Sequence, residues 1–252
     1  DAPHKRVERK REVPIDPFIP EVLTESGHTT YSSKAHRDAV RKVVASQPGT
    51  TVVVNLPTGS GKSTVALAPA FLHAPGTSVF VVPTIALAID QERRVREETG
   101  RTDECFAFTS DTPLDVRKGI LADIFAGHKT VVFVAPEAAT HSLAPALFKA
   151  ARLGALKYFI VDESHLVDQW GTQFRPEYQA LAGLRSELLK VQKEADPQGR
   201  TQLFRTVLMT ATMGPGSADL LMKLFGAPAP VELAISNRLR PEPGYWVAES
   251  SG

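Results

Sequence analysis

Leu56-Pro57-Thr58-Gly59-Ser60-Gly61-Lys62-Ser63-Thr64 follows the β-branched run Thr51-Val52-Val53-Val54-Asn55 and precedes the apolar stretch Val65-Ala66-Leu67-Ala68. The first run reads as a buried strand and the last as the opening of a helix. A strand, a Gly-rich turn and a helix are what a phosphate-binding loop requires. Gly59 and Gly61 let the backbone curl so that successive N–H groups face a polyphosphate, and the helix start adds the positive end of its dipole. In that reading Thr58, Gly59, Ser60, Gly61, Lys62, Ser63 and Thr64 bind a nucleotide. Lys62 reaches the β- and γ-phosphates and the Ser63 hydroxyl joins a Mg²⁺ shell. Leu56 stands where the full pattern has its first Gly, so a Gly-rich turn that happens to precede a Lys is the alternative at this point.

Working outward, apolar strands alternate with helical stretches. Strands are predicted at Thr51–Leu56, Ser78–Pro83, Cys105–Thr109, Thr130–Ala135, Lys157–Asp162 and Thr206–Thr210, with helices near 34–44, 62–73, 85–98, 113–126, 141–152, 176–194 and 216–225. Runs such as Val79-Phe80-Val81-Val82 and Val131-Val132-Phe133-Val134 are apolar throughout, as in a sheet covered on both faces. The expected fold is α/β, a doubly wound, mainly parallel sheet with its ligands at the carboxyl ends of the strands. Residues 1–30, with the basic run Lys5-Arg6-Val7-Glu8-Arg9-Lys10-Arg11 and Pro14, Pro17 and Pro20, read as an irregular basic extension.

Charge and composition narrow the classes. With 29 basic against 28 acidic residues, any nucleic-acid surface has to be a local patch. The single Cys105 excludes an internal disulfide framework and fits a reducing, cytoplasmic setting. No apolar run is long enough to span a bilayer, so no membrane partner is expected. The chain opens on Asp1 rather than Met and reads as a segment of something longer.

Phe159-Ile160-Val161-Asp162-Glu163-Ser164-His165 reads as the partner of the phosphate loop. A strand ending in two carboxylates places Asp162 to hold Mg²⁺ and Glu163 to orient and deprotonate the water that attacks the γ-phosphate. The alternative is an acidic helix start.

Asp162-Glu163-Ser164-His165 resembles the Asp-Glu-x-His box of superfamily 2 helicases and translocases. The tract from Asp162 through Gln169-Trp170-Gly171 and Phe174-Arg175-Pro176 to Tyr178 resembles the RecQ family more closely, whose box runs into an aromatic-rich loop of that form. The resemblance covers roughly residues 31–225. It implies a RecA-like, ATP-binding first helicase lobe over 31–230, with 231–252 starting a linker to a second RecA-like lobe absent from this chain. The implied activity is an ATP-dependent DNA helicase, moving on single-stranded DNA at the expense of ATP with Mg²⁺. His165 would relay between the γ-phosphate and Thr210 and Thr212, the coupling hydroxyls. Pro83, Thr84, Gln91 and Thr140 would touch the phosphates of the strand, and Trp170, Phe174 and Arg175 would sense it.

Each of these positions has a structural alternative. Trp170 and Phe174 could be packing groups, Thr210 and Thr212 helix caps, and Pro83-Thr84 a helix start. Where the family reads adenine with an aromatic and a Gln, this chain has Tyr31 and His36; Tyr31 either stacks on the base or packs beneath the helix. Without its second lobe the segment is expected to bind ATP weakly and to unwind nothing. DNA repair or phage defence is the implied setting, the latter by likeness to RecQ-like helicases of bacterial clusters that modify or restrict deazaguanine-bearing DNA, with nuclease or DNA-modification proteins as partners. The competing functions are a duplex-DNA or RNA-remodelling ATPase and a non-catalytic, ATP-dependent docking module.

Overall fold

The computed structural model describes residues 13–168 and 176–236. In chain order the elements are β1 (Val13–Pro14), α1 (Phe18–Val22), β2 (Thr30–Tyr31), α2 (Lys34–Ala45), β3 (Thr51–Asn55), α3 (Lys62–Leu72), β4 (Thr77–Val81), α4 (Ile85–Thr99), β5 (Ala107–Phe108) and α5 (Leu114–Ala126). Then come β6 (Val131–Val134), α6 (Pro136–Thr140), α7 (Ala144–Arg152), β7 (Leu156–Val161), a 3₁₀ turn (Ser164–Asp168), α8 (Pro176–Ala195), β8 (Arg205–Thr210), α9 (Pro215–Phe225) and β9 (Val231–Ile235). Seven strands form one sheet in the order β5-β6-β4-β7-β8-β3-β9, and every pairing in it is parallel.

Alternate residues of the central strands feed two cores. Val53, Val79, Val81 and Phe159 pack with α5, α7, α8 and α9, while Val52, Val54, Phe80 and Ile160 pack with α1, α2, α3 and α4. Burial on both faces is why these strands carry no polar alternation. The order changes direction around β4 and β7, so the crevice at the carboxyl ends of the central strands is where a doubly wound sheet binds ligands. Among the described residues no helix is long and apolar enough to cross a membrane.

Two stretches differ from the expectation. Residues 13–30 are not irregular: Ile19 and Leu23 are fully buried, and Asp16 accepts hydrogen bonds from the Tyr31 hydroxyl at 2.6 Å and from Arg41 at 2.6 and 2.9 Å. That Arg41 guanidinium, ahead of the other influences, holds the Asp16 carboxyl below its ordinary range. Val231–Ile235, within the stretch that reads as linker, is the edge strand of the sheet, in register with β3 from Thr51↔Val231 to Asn55↔Ile235. Both depend on partners distant in sequence, which local pattern does not carry.

Arg185 and Lys129 are charged side chains buried in the fold, and Arg185 is the deeper. Arg185 on α8 is 2% exposed and donates to the Thr206 hydroxyl at 2.9 Å, to the Thr51 hydroxyl at 3.0 Å and to the Ala227 carbonyl. Burial pulls its pKa down to about 10. It ties α8 to β3, β8 and the turn before β9. Arg185→Met is expected to destabilise the fold by about 2–4 kcal/mol, because those oxygens lose a charged donor. A drop in the urea midpoint with the slope unchanged reads this directly.

Candidate functional site

The phosphate loop leaves β3 at Asn55, and the Leu56 N–H is tied to the Thr210 carbonyl at 3.2 Å. Gly59 and Gly61 have φ of 75° and 88°, a region L side chains avoid. Gly61 is required on a second ground: a Cβ there would lie 2.3 Å from the His36 ring. Gly61 caps α3 without a side-chain hydrogen bond, so no side chain competes for the backbone donors at the start of that helix. Thr58 and Gly59 are exposed, Ser60, Lys62 and Ser63 are half-buried and Thr64 is buried. The Ser60 hydroxyl donates to the Pro57 carbonyl at 2.5 Å, and Ser32 donates to the Ser60 carbonyl at 2.6 Å.

The acidic box sits at the carboxyl end of β7, where the Asp162 N–H bonds the Val81 carbonyl at 2.9 Å. Glu163 has φ of 47°, and among the described residues it is the one non-glycine with positive φ. Such a backbone costs on the order of 1–3 kcal/mol and clusters at functional sites. Here it lets the Glu163 N–H donate to Asp162 Oδ1 at 2.9 Å and places Glu163 Oε2 3.2 Å from His165 Nδ1. The same nitrogen is 3.1 Å from the Thr210 hydroxyl, which donates to the Thr212 carbonyl at 2.6 Å and accepts from its N–H at 3.2 Å.

β8 lies between β7 and β3, so the carboxylates are not directly beside the phosphate loop. Thr210, at the end of that intervening strand, links the two: its carbonyl holds Leu56 and its hydroxyl holds His165. Burial raises the Asp162 pKa and the Glu163 carboxylate adds to the rise, against the Glu163 N–H, the Lys62 ammonium and His165, which favour ionisation. Mg²⁺ takes hard oxygen ligands and keeps water and substrate phosphates in its shell, so a hydroxyl at Ser63 and a carboxylate at Asp162 fit that ion.

Tyr31 and His36 correct the adenine-site expectation. Tyr31 is 3% exposed, its hydroxyl committed to Asp16 and its ring edge-on to His36 at 5.1 Å between centroids. His36 is 6% exposed, capped at its N–H by the Ser33 hydroxyl, with Nδ1 3.1 Å from the Ser32 hydroxyl. His36 packs against Gly61 of the phosphate loop and Tyr31 packs edge-on against His36, so both rings are buried. Ser32, which holds the Ser60 carbonyl, is the loop support that sequence reasoning missed; a serine beside a helix cap gives no local sign of a partner 28 positions away.

Burial, with His28 adding to it, pulls the His36 pKa down to about 4 from an ordinary 6.5. Between those values the unfolded chain takes up a proton that the folded chain excludes, so stability falls as pH drops through that window. The loss is about 3 kcal/mol, and His36→Gln is expected to flatten this part of the stability–pH curve. Equal slopes for the two proteins would contradict it.

Of the strand-contact positions, Pro83 and Thr84 lie at the carboxyl end of β4; Thr84 is exposed and caps α4 by accepting from the Leu87 N–H at 3.2 Å. Gln91 is half-buried on α4. Thr140 ends α6, beyond the neighbouring strand β6, and its hydroxyl is 3.1 Å from the Pro136 and Glu137 carbonyls. Pro83, Thr84 and Thr140 lie toward the carboxyl edge of the sheet, with the phosphate loop and the box, whereas Gln91 sits about two turns along α4. Trp170, Phe174 and Arg175 lie outside the described residues.

Comparison with known proteins gives concordant findings. The pattern of the DEAD/DEAH box helicase family matches residues 33–220. The chain is 34% identical over 149 residues to the RecQ-like DNA helicase blm-1 of Caenorhabditis elegans, covering 58% of this chain and 15% of that protein. It is 27% identical over 159 residues to the ATP-dependent DNA helicase RecQ of Haemophilus influenzae, covering 63% of this chain and 25% of that one. In fold it resembles the DNA-bound DUF1998 helicase MrfA, with a TM-score of 0.64 at 22% identity over 90% of this chain and 29% of the other. The chain therefore spans a quarter or less of the length of the two relatives it matches in sequence.

Proposed function

The chain belongs to the DEAD/DEAH box helicase family, and from that premise we propose that it is the ATP-binding lobe of a helicase that moves along single-stranded DNA. The observation that carries this reading is the run from Glu163 through His165 to Thr210, whose carbonyl in turn holds Leu56 at the start of the phosphate loop.

In this reading the α3 amides and Lys62 bind the phosphates of ATP. Ser63 and Asp162 would hold Mg²⁺, which when bound neutralises charge on the phosphates. Glu163 takes the proton of the attacking water. His165, touching both Glu163 and Thr210, carries the state of that carboxylate to the end of β8. A second RecA-like lobe closes over the cleft and supplies the cationic group that stabilises transferred charge. DNA as the track is supported by the relatives, which are named DNA helicases. Repair or phage defence, with a nuclease or DNA-modifying partner, is the setting proposed for such a motor.

The test is polynucleotide stimulation of ATP hydrolysis by the full-length protein. Single-stranded DNA is expected to stimulate more strongly than duplex DNA or RNA. Stimulation by duplex alone or RNA alone would replace the proposal with a duplex translocase or an RNA remodeller. Cellular function surviving Glu163→Gln would instead favour a docking module.

A further inference from the structure

At the amino ends of β7 and β8, the edge of the sheet opposite the nucleotide cleft, lies a hollow of about 300 Å³. Four of its lining side chains are His73, Lys157, Arg200 and Arg205, and none of the lining residues is acidic. Lys157, Arg205 and His73 are each held in place by a neutral partner. Lys157 donates to the Gly154 carbonyl at 3.3 Å, and its stem lies so close to Gly76 that a Cβ there would come within 2.5 Å of Lys157 Cε. Arg205 donates to the Ser46 carbonyl at 2.7 Å and stands 5.9 Å from the centre of the Tyr158 ring. His73 Nδ1 is 2.8 Å from the Tyr158 hydroxyl.

Among the described residues no carboxylate pairs with Lys157 or Arg205. Arg200, on the rim, is 3.6 Å from Asp196, whose other oxygen accepts the Thr201 N–H. Burial, and then the repulsion of Arg205, lowers the pKa of both Lys157 and His73. The lowered pKa leaves His73 neutral near pH 7, while the like charges of Lys157 and Arg205, fixed in a concave, partly desolvated wall, repel each other until an anion joins them.

We propose that this hollow is an anion site for a phosphoryl group, separate from the phosphate loop. Its size is at the low end for small-molecule pockets, enough for a phosphoryl group and part of what carries it. The carrier is either a small phosphate ester or the phosphorylated end of a nucleic-acid strand. Lys157, Arg200 and Arg205, which all line the hollow, supply the charge that holds the group.

The probe is inorganic pyrophosphate, added to the Lys62→Ala chain so that the phosphate loop, weakened by that change, contributes less to the signal. Against chloride of equal ionic strength, pyrophosphate is expected to raise the melting temperature by about 3–6 °C at ten times its Kd. Lys157→Gln, alone or with Arg200→Gln, is expected to weaken pyrophosphate at least tenfold in calorimetry, and Lys157→Arg to retain it. No stabilisation beyond chloride, or an unchanged affinity in the folded Lys157→Gln protein, would overturn the site. Displacement of pyrophosphate by a 5′-phosphorylated oligonucleotide, but not by its unphosphorylated twin, would identify a strand end. Displacement by neither would identify a small ester, and equal displacement by both would overturn the assignment to a phosphoryl group.

Discussion

Glu163→Gln is expected to slow ATP hydrolysis by about 10²–10⁴-fold, the range of a lost general base, while ATP–Mg²⁺ affinity stays within about twofold. The amide keeps the shape of the carboxylate and one acceptor oxygen, so it can still face the γ-phosphate and His165. It cannot take a proton. The geometry explains why the effect falls on rate and not on binding: Glu163 contacts His165 and its own N–H bonds Asp162, whereas the phosphate-binding donors belong to the loop before α3. Phosphate release gives the rate and a fluorescent ATP analogue gives the affinity. An equal fall in both would make Glu163 a binding residue, and no fall in either would remove it from the chemistry.

Lys62→Ala is the second large effect, and it has the opposite signature. A charged donor to phosphate contributes about 1.5–3 kcal/mol, so affinity for ATP–Mg²⁺ is expected to fall roughly 10- to 150-fold. Hydrolysis falls with it because the same ammonium follows charge onto the transferred phosphoryl group. The loop itself is expected to keep its shape, since its internal hydrogen bonds run through Ser60, Pro57 and Ser32 and not through Lys62. Calorimetric titration with ATP checks this, and unchanged affinity would place the nucleotide elsewhere.

How legible this was in the sequence varied with the range of the forces involved. Strands such as Val131–Val134 and helices such as Ile85–Thr99 are written in runs of neighbouring residues, and the structure reproduces them within a residue or two. The expected helix near 141–152 is α7, which begins at Ala144 with Pro145 in its first turn, and Pro136 starts the separate short helix α6 just before it, which the sequence reading does not include. The loop and the box were legible because their chemistry needs fixed residue types at fixed spacing.

Long-range partners account for the rest. Val231–Ile235 follows Pro228 and Pro230 and has little local signal, yet β3 offers it a free edge. Ile19 and Leu23 are core residues in a proline-rich stretch, buried against α3 and its neighbours in the core. Tyr31 and His36 could be read as a base platform because nothing nearby shows Asp16 claiming the phenol or Gly61 yielding its space to the imidazole. The insertion of β8 between the phosphate loop and the acidic box is likewise invisible to local pattern, since it is set by strand order; Thr210, at the end of that strand, is tied to Leu56 on one side and His165 on the other.

The most direct measurement is a crystal structure of this chain with Mg²⁺ and a non-hydrolysable ATP analogue. The account predicts one triphosphate, wrapped by residues 58–64, with the Lys62 ammonium and the Asp162–Glu163 carboxylates both at its γ-phosphate end. A nucleotide bound away from this loop, or one whose γ-phosphate lies out of reach of the carboxylate pair, would contradict it.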